Sequence, residues 1–476
     1  MKILIVLPYS GKQINGGLAV LNEQLTAALV ATNHDVRLLT FKLRDHLDAQ
    51  QAGHGGAKAK ILKLQHKDVL AMGAGNKLLD DNERDNLYKL FNDLEVLEQA
   101  RAIDAIKEGG WTPDVIIGHS RFSGPAAVLL RDKHFKSARV EYFLHSYPFE
   151  GAILTGYGAY EEEIDAQLAL KKIKLEAAWM ARADVVVAMG PLLTLGALHI
   201  LEQAGVHAPR VHEAIPGVEG GKPQVRFRSQ LDDIRVLMVA RFNAPIKGLE
   251  DIVMAALELN QLRKDQRPAR RVRLIVRGIG ERTYASDGRT INHATVNEWV
   301  KGALGHDPHA AVTIDVKPLT KEIEKEYQMA DAVLAPSYIE HFGLVPFEAL
   351  GYGLPVLVNE ISGSGMFLGD EQRFPSIGPP CVVRDFDPTV KRPLQPKDVL
   401  GWVRKSAFDN RPRAWADAIL DLAKTLYRRS REATRLSAML IGDYRMEHFA
   451  NGVVNAADPH YAGRTKQGAR GVVMAA

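Results

Sequence analysis

Two glutamates, Glu340 and Glu348, bracket Phe342-Gly343-Leu344-Val345 within the stretch 335–363, APSYIEHFGLVPFEALGYGLPVLVNEISG. Pro346 suits a first helical turn, so a helix is expected to begin beside the phenylalanine and glycine. A helix start exposes unpaired N–H groups and the positive end of a dipole, which suits phosphate. Gly343 lets a ligand come close to the main chain. Carboxylates repel a bare anion but accept hydrogen bonds from hydroxyls. Acids on both sides of a phosphate seat therefore match a ligand with alcohols flanking a diphosphate. A nucleotide-diphosphate sugar has that form: ribose on one side, a second sugar on the other.

Further residues of the right chemistry recur at the ends of apolar runs. Arg241 and Lys247 follow the run Ile234–Ala240. A guanidinium fork and an ammonium point charge both serve a diphosphate. Gly278-Ile-Gly280 follows the run from Val272, with Arg277 before it as a candidate phosphate or base contact. Alone this G-x-G is a weak dinucleotide signal, because the third glycine of that fingerprint is missing. The glycines are read as turn residues, and the family resemblance given below implies that they line the nucleotide pocket. Gly16-Gly17 heads the first helix. His119 and His145 each stand at the tip of an apolar run, the second between an aromatic-rich strand and a proline-bearing loop. Both are functional candidates, and the family resemblance given below favours His145, with His119 second. No D-x-D metal pair stands in a suitable place, so no metal ligand is assigned.

The elements that must carry these residues alternate strand and helix. Ile3–Leu7, Asp35–Thr40, Pro113–His119, Arg139–Leu144 and Asp184–Met189 read as core strands, and Leu18–Thr32 as the first helix. Residues 82–108 read as mostly helical, with Leu87, Leu90, Phe91, Leu94, Leu97 and Ile103 as the buried stripe. Val211–Val218 closes the first half and the polar, glycine-bearing stretch 219–232 reads as a linker. Ile234–Ala240, Val272–Val276, Ala311–Val316, Asp331–Ala335 and Pro355–Asn359 repeat the strand pattern, with helices between them and a longer helix over 414–440. Ser362–Met366 reads as a glycine-rich turn. Alternation of this kind builds parallel α/β sheets, which bind ligands at the carboxyl ends of their strands.

The segment Glu340-His-Phe-Gly-Leu-Val-Pro-Phe-Glu348-Ala, with Gly351-Tyr-Gly-Leu-Pro-Val after it, resembles the E-x7-E segment of retaining GT-B glycosyltransferases. It is most similar to glycosyltransferase family 4, which contains sucrose-phosphate synthases and many bacterial sugar transferases. The resemblance implies an α/β GT-B fold, two Rossmann-like domains facing a central cleft. Their expected extents are 1–218 on the acceptor side and 233–442 on the donor side. A crossover helix over 443–462 returns to the first domain, and 463–476 is a tail. The implied reaction is retaining, metal-independent transfer of a sugar from a nucleotide-diphosphate sugar to a hydroxyl. Glu340 would contact the donor sugar and Glu348 the ribose. His145 would lie beside the sugar, and Arg241 with Lys247 would stabilise the leaving diphosphate. The loop between those two is one residue longer than the commonest family pattern, which loosens the assignment of Lys247 more than that of Arg241.

The composition agrees with a globular protein: 476 residues, 46% hydrophobic and 25% charged. With 61 basic against 57 acidic side chains the balance is +4, which gives no general case for nucleic-acid binding. Cys381 is the only cysteine, so no intrachain disulfide forms, in keeping with a reducing compartment. The apolar N-terminal run is too short for a signal peptide or a membrane span, and a cytoplasmic protein is expected, with peripheral membrane contact left open. No cofactor is expected beyond the donor itself. The base, the sugar, the linkage, the oligomeric state and the acceptor (small molecule, glycan or lipid-linked) stay open. Two rival readings keep the fold: a sugar phosphorylase or pseudo-glycosidic coupling enzyme, and an inactive nucleotide-sugar-binding protein. An NAD-dependent oxidoreductase rests on the G-x-G alone.

Overall fold

The computed structural model describes residues 1–8, 17–41, 59–72, 81–145, 166–206, 210–218, 232–241, 247–279, 282–283, 290–318, 320, 322–337, 340–375, 378, 381–385 and 411–458. The chain forms two compact units. One comprises Met1–Pro148, Lys171–Gly217 and Asp443–Ala476; the other comprises Phe149–Leu170 and Val218–Gly442. The helix Ala166–Met180 straddles this division, its residues up to Leu170 grouped with the second unit and the rest with the first. Of the expected linker over 219–232 all but Asp232 lies outside the described residues, as does the tail from 463.

The first unit contains β1 (Lys2–Val6), α1 (Gly17–Ala31), β2 (Asp35–Phe41), β3 (Lys60–Leu64), α2 (Lys67–Met72), α3 (Asp81–Phe91), α4 (Leu94–Gln99) and α5 (Ala102–Lys107). It continues with β4 (Val115–His119), α6 (Ser120–His134), β5 (Arg139–Leu144), α7 (Ala166–Met180), β6 (Val185–Met189), α8 (Gly190–Gln203) and β7 (Arg210–Ala214). The seven strands pair in the order β3-β2-β1-β4-β5-β6-β7, all parallel. Runs such as Ile3-Leu-Ile-Val6 are fully buried because helices cover both faces of such a sheet.

The stretch 82–108, expected to be mostly helical, forms three short helices. Asp93 takes the N–H of Glu95 at 2.9 Å and starts α4 afresh, and Arg101 stands in a left-handed conformation (φ 58°) before α5. Short polar side chains that bond their own backbone break a helix there. The edge strand β3 was not anticipated.

The second unit contains β8 (Ile234–Arg241), α9 (Leu249–Gln261), β9 (Val272–Ile279), the ribbon β10 (Arg282–Thr283) and β11 (Thr290–Ile291), α10 (His293–Leu304), β12 (Val312–Pro318) and α11 (Ile323–Met329). Then come β13 (Ala332–Ala335), α12 (Leu344–Gly351), β14 (Val356–Asn359), α13 (Gly363–Leu368), β15 (Val382–Val383) and α14 (Arg411–Asp443). The main sheet runs β12-β9-β8-β13-β14-β15, again parallel. The stretch read as a glycine-rich turn is therefore the short helix α13, capped where Ser362 accepts the N–H of Gly365. The helix expected over 414–440 spans all of Arg411–Asp443, burying Trp415, Ile419 and Leu422 in the core.

The last helix, α15 (Met446–Ala456), packs on α1 and β7 of the first unit. Arg139 and Arg210 hold its C-terminal carbonyls, at Ala457 and Ala456, at 2.6 and 2.7 Å. Cations are favoured at that end of a helix dipole.

Candidate active site

In both sheets the strand order reverses once. The reversal lies between β1 and β4 in the first and between β8 and β13 in the second. In open α/β sheets ligands bind at such reversal points, outside the carboxyl ends of the strands. In the second unit, β8 leads towards Lys247 and β13 towards Glu340, so topology alone brings these two loops together.

Their tips touch. The Lys247 ammonium is ion-paired with the Glu340 carboxylate, both part-buried. Gly343 caps α12 with φ 84°, a conformation that favours glycine, and no side chain caps the helix. A Cβ there would lie 2.8 Å from Cγ of Glu340. The helix start therefore stands bare beside the acid. Leu344 and Val345, in the first turn, are part-buried. Phe342 departs from its assignment: its ring is buried and stacks on Phe347, with centroids 4.5 Å apart, so only its backbone is available to a ligand.

Glu348 is set lower in α12. Its carboxylate accepts the Tyr327 hydroxyl at 2.7 Å, and the Tyr327 ring stacks on Tyr352. Burial raises the Glu348 pKa above its ordinary value, against a smaller lowering by the tyrosine hydrogen bond. Arg277 is engaged by Glu326 and by the Pro318 carbonyl at 3.1 Å. Its guanidinium is thereby fixed against the turn that ends β12, rather than directed at a phosphate. Gly278 is buried in β9, opposite Ala240. Arg241 closes β8, in register with Ile279. Gly280 lies outside the described residues.

In the first unit, His119 ends β4 at the reversal point and His145 follows β5. Nδ1 of His119 lies 2.9 Å from Nε2 of His145. Burial depresses both imidazoles, that of His145 to about 3, so both are neutral near pH 7. One ring must then donate to the other. Nε2 of His119 is buried with no hydrogen-bond partner among the described residues. Buried orphan N–H groups are rarer than under-satisfied acceptors, which favours His119 as the donor and leaves the His145 proton on Nδ1. Ser120, at φ 39°, bridges the strand tips: its hydroxyl donates to the Phe143 carbonyl at 3.0 Å and accepts the N–H of His145 at 3.1 Å. Gly17 opens α1, and Gly16 lies outside the described residues.

Sequence reasoning missed several supporting residues. Tyr327, Tyr352, Ser120 and the buried Tyr142–Glu176 pair (3.0 Å) touch the candidate residues or their neighbours only through the fold. Only Ser120, next to His119, and Tyr352, inside the Gly351-Tyr-Gly stretch, had a sequence cue.

Solved structures place this architecture. Sucrose-phosphate synthase from Thermosynechococcus elongatus superposes with a TM-score of 0.59 at 20% identity, covering 94% of this chain and 96% of that one. A trehalose-6-phosphate structure from E. coli bound with UDP-2-fluoro glucose gives 0.58 at 14% identity, covering 96% and 99%. Anabaena HepE in complex with UDP-glucose gives 0.53 at 14% identity, covering 95% and 98%. The fold is thus GT-B, two Rossmann-like units in one chain. The chain belongs to the family 4 glycosyltransferases in conflict systems, whose model matches residues 10–453. Among curated relatives, D-inositol 3-phosphate glycosyltransferase of Kribbella flavida is 28% identical over 277 residues, 56% of this chain and 59% of that protein. The match thus spans little more than half of that relative's length.

Proposed function

We propose that the protein transfers a sugar from a nucleotide-diphosphate sugar to a hydroxyl acceptor, with retention and without a metal. The observation that carries this reading is the cluster at the second reversal point: Lys247 paired with Glu340, the bare start of α12, and Glu348 one turn further on. Nucleotide-sugar complexes of proteins with this fold, with UDP-2-fluoro glucose and with UDP-glucose, are consistent with it.

The mechanism follows from where charge develops. As the bond to the anomeric carbon breaks, negative charge grows on the leaving diphosphate. Lys247, Arg241 and the N–H groups opening α12 stabilise it, and one such preorganised donor is worth about 3 kcal/mol. Side-chain cations then do the work a divalent ion would otherwise do. Glu340 grips donor-sugar hydroxyls and Glu348 those of the ribose. In the free protein Lys247 and Glu340 satisfy each other, and the donor takes over both partners. The leaving phosphate itself receives the acceptor's proton. His145, held neutral by burial, is suited to donate an N–H rather than to act as a base.

A thermal-shift screen over UDP-, GDP- and ADP-sugars tests donor binding, because a ligand specific to the folded state raises the melting temperature. Glu348→Ala is expected to weaken nucleotide binding about tenfold or more, the effect of losing a charged hydrogen-bond partner. Arg241→Ala is expected to lower kcat with binding largely kept. Unchanged affinity and rate in both variants would contradict the assignment.

A further inference from the structure

Beneath the Lys247–Glu340 pair lies a group of buried charges that the proposed reaction does not use. Arg411, at the start of α14, has a side chain with no exposure to solvent. Its Nε donates to Asp251 of α9 at 3.0 Å, and one terminal nitrogen lies 2.7 Å from Asp385, itself wholly buried. The other terminal nitrogen donates to the Pro336 carbonyl at 2.6 Å. Asp385 also accepts from Trp415 at 2.9 Å and from the Asn359 amide at 3.3 Å.

Ion groups of this kind add little stability over a well-packed apolar set, since desolvation offsets the attraction. What they impose is geometry, and here both arms reach the donor loops. On one side, the Pro336 carbonyl lies against Gly248, at φ 75°, where a Cβ would run into it. Gly248 follows Lys247, and Pro336 begins the loop to Glu340. On the other side, Asn359 closes β14 and accepts the Ile361 N–H at 2.8 Å, while its carbonyl takes the Ser362 hydroxyl at 2.7 Å. The next residue, Gly363, donates its N–H to the Glu340 carbonyl at 2.8 Å. The loop bearing Glu340 is therefore held near its beginning by Arg411 and at Glu340 itself by the turn that Asp385 and Asn359 organise.

We infer that Arg411, with Asp251 and Asp385, is a positioning residue that sets the separation of Lys247 and Glu340. A guanidinium can serve three acceptors in one plane, whereas lysine presents a single point charge. Arg411→Lys keeps the charge and loses that geometry. The inference rests on reading the pair as the donor subsite, but its first readout needs no ligand.

That readout is the rate at which an amine-reactive reagent acylates Lys247 in the folded full-length chain, followed by peptide mass spectrometry. Arg411→Lys should raise it several-fold as the ion pair loosens. Leu422→Ala serves as the matched control, because it opens the apolar core under the same helix about three turns away from Arg411. It should lower the urea midpoint while Lys247 labels at the wild-type rate. Where Arg411→Lys does not fold, Asp251→Asn takes its place and should also speed labelling. The second readout is slow hydrolysis or transfer with UDP-glucose as probe. Turnover by Arg411→Lys should fall by about 10²-fold, the size expected when a site is displaced by about 1 Å. Labelling at the wild-type rate in both charge variants, or an equal rise in Leu422→Ala, would overturn the inference. Faster labelling in a chain that binds and turns over no nucleotide sugar would instead overturn the proposed function and leave the positioning role standing.

Discussion

At the scale of single residues, the least expected group is Glu176. It is buried on α7 and accepts the Tyr142 hydroxyl at 3.0 Å, a step from Ser120 and the two histidines. Burial raises its pKa from 4.5 to about 7, outweighing the hydrogen bond. The folded chain therefore holds this proton more tightly than the unfolded one. Its contribution is complete below pH 4.5, is lost as pH rises to about 7, and is then constant. The span corresponds to a loss on the order of 3 kcal/mol. Glu176→Gln, which stays neutral, should remove that fall. Urea midpoints of variant and wild type, compared from pH 4.5 to 7.5, should diverge in favour of the variant on the alkaline side, and parallel curves would refute the assignment. Nothing in the sequence marked this residue, because its chemistry comes from Tyr142, 34 positions away on another element. Glu340 and Glu348 were legible for the opposite reason. Both sit in one strand–loop–helix unit, so their spacing in the chain is nearly their spacing in space.

At the scale of elements, α12 is bounded by glycines that do different things. Gly353 ends it at φ 69°, the usual left-handed stop, and Gly343 begins it at φ 84° against Glu340. Either glycine to alanine puts an L-residue at positive φ; in the left-handed region of Gly353 this costs about 1–2 kcal/mol, and Gly343, with ψ 98°, lies outside that region. Only Gly343→Ala also pushes a methyl group into the glutamate. Gly343→Ala should melt at or below Gly353→Ala, and nucleotide affinity in the folded protein should drop in Gly343→Ala and hold in Gly353→Ala; equal affinities would show that the helix start does not seat the ligand. The same scale explains which elements could be read in advance. The sheet strands are continuous Val, Ile and Leu runs because both faces are covered, and such runs stand out. Strand β3, Lys60-Ile-Leu-Lys-Leu64, lies at a sheet edge and carries lysines, so it lacks that signature. The helices from 81 to 107 share one apolar stripe but turn at Asp93 and Arg101, and a stripe by itself does not show a turn. The Arg411 group joins α9, α14 and the loop after β15, up to 160 positions apart in the chain. Periodicity has no access to such pairings.

At the scale of the molecule, the first unit is assembled from separated pieces of chain. Its last element, α15, arrives only after the second unit is complete. Met446, Phe449, Ala450, Val453 and Val454 are buried by it, and its carbonyl end is held by arginines of β5 and β7. Met446 and the neighbouring backbone fill the space where Gly217 would carry a Cβ, so the chain segments entering and leaving the first unit lie in contact there. Removing everything after Gly442 would expose the α1 and β7 surfaces that this helix covers. Burying its four larger apolar side chains is worth roughly 5 kcal/mol or more. That is comparable with the whole stability of an ordinary domain, about 5–15 kcal/mol. The second unit keeps its sheet, α14 and the Arg411 group intact in such a truncation. Hydrogen exchange read by mass spectrometry should therefore show β1 and β2 losing protection while β8 and β9 keep theirs. UDP binding, if the donor site has been assigned correctly, should survive with them. Uniform loss across both sheets would mean that the units do not hold their stability separately. Unchanged protection throughout would mean that α15 contributes little to the fold it completes.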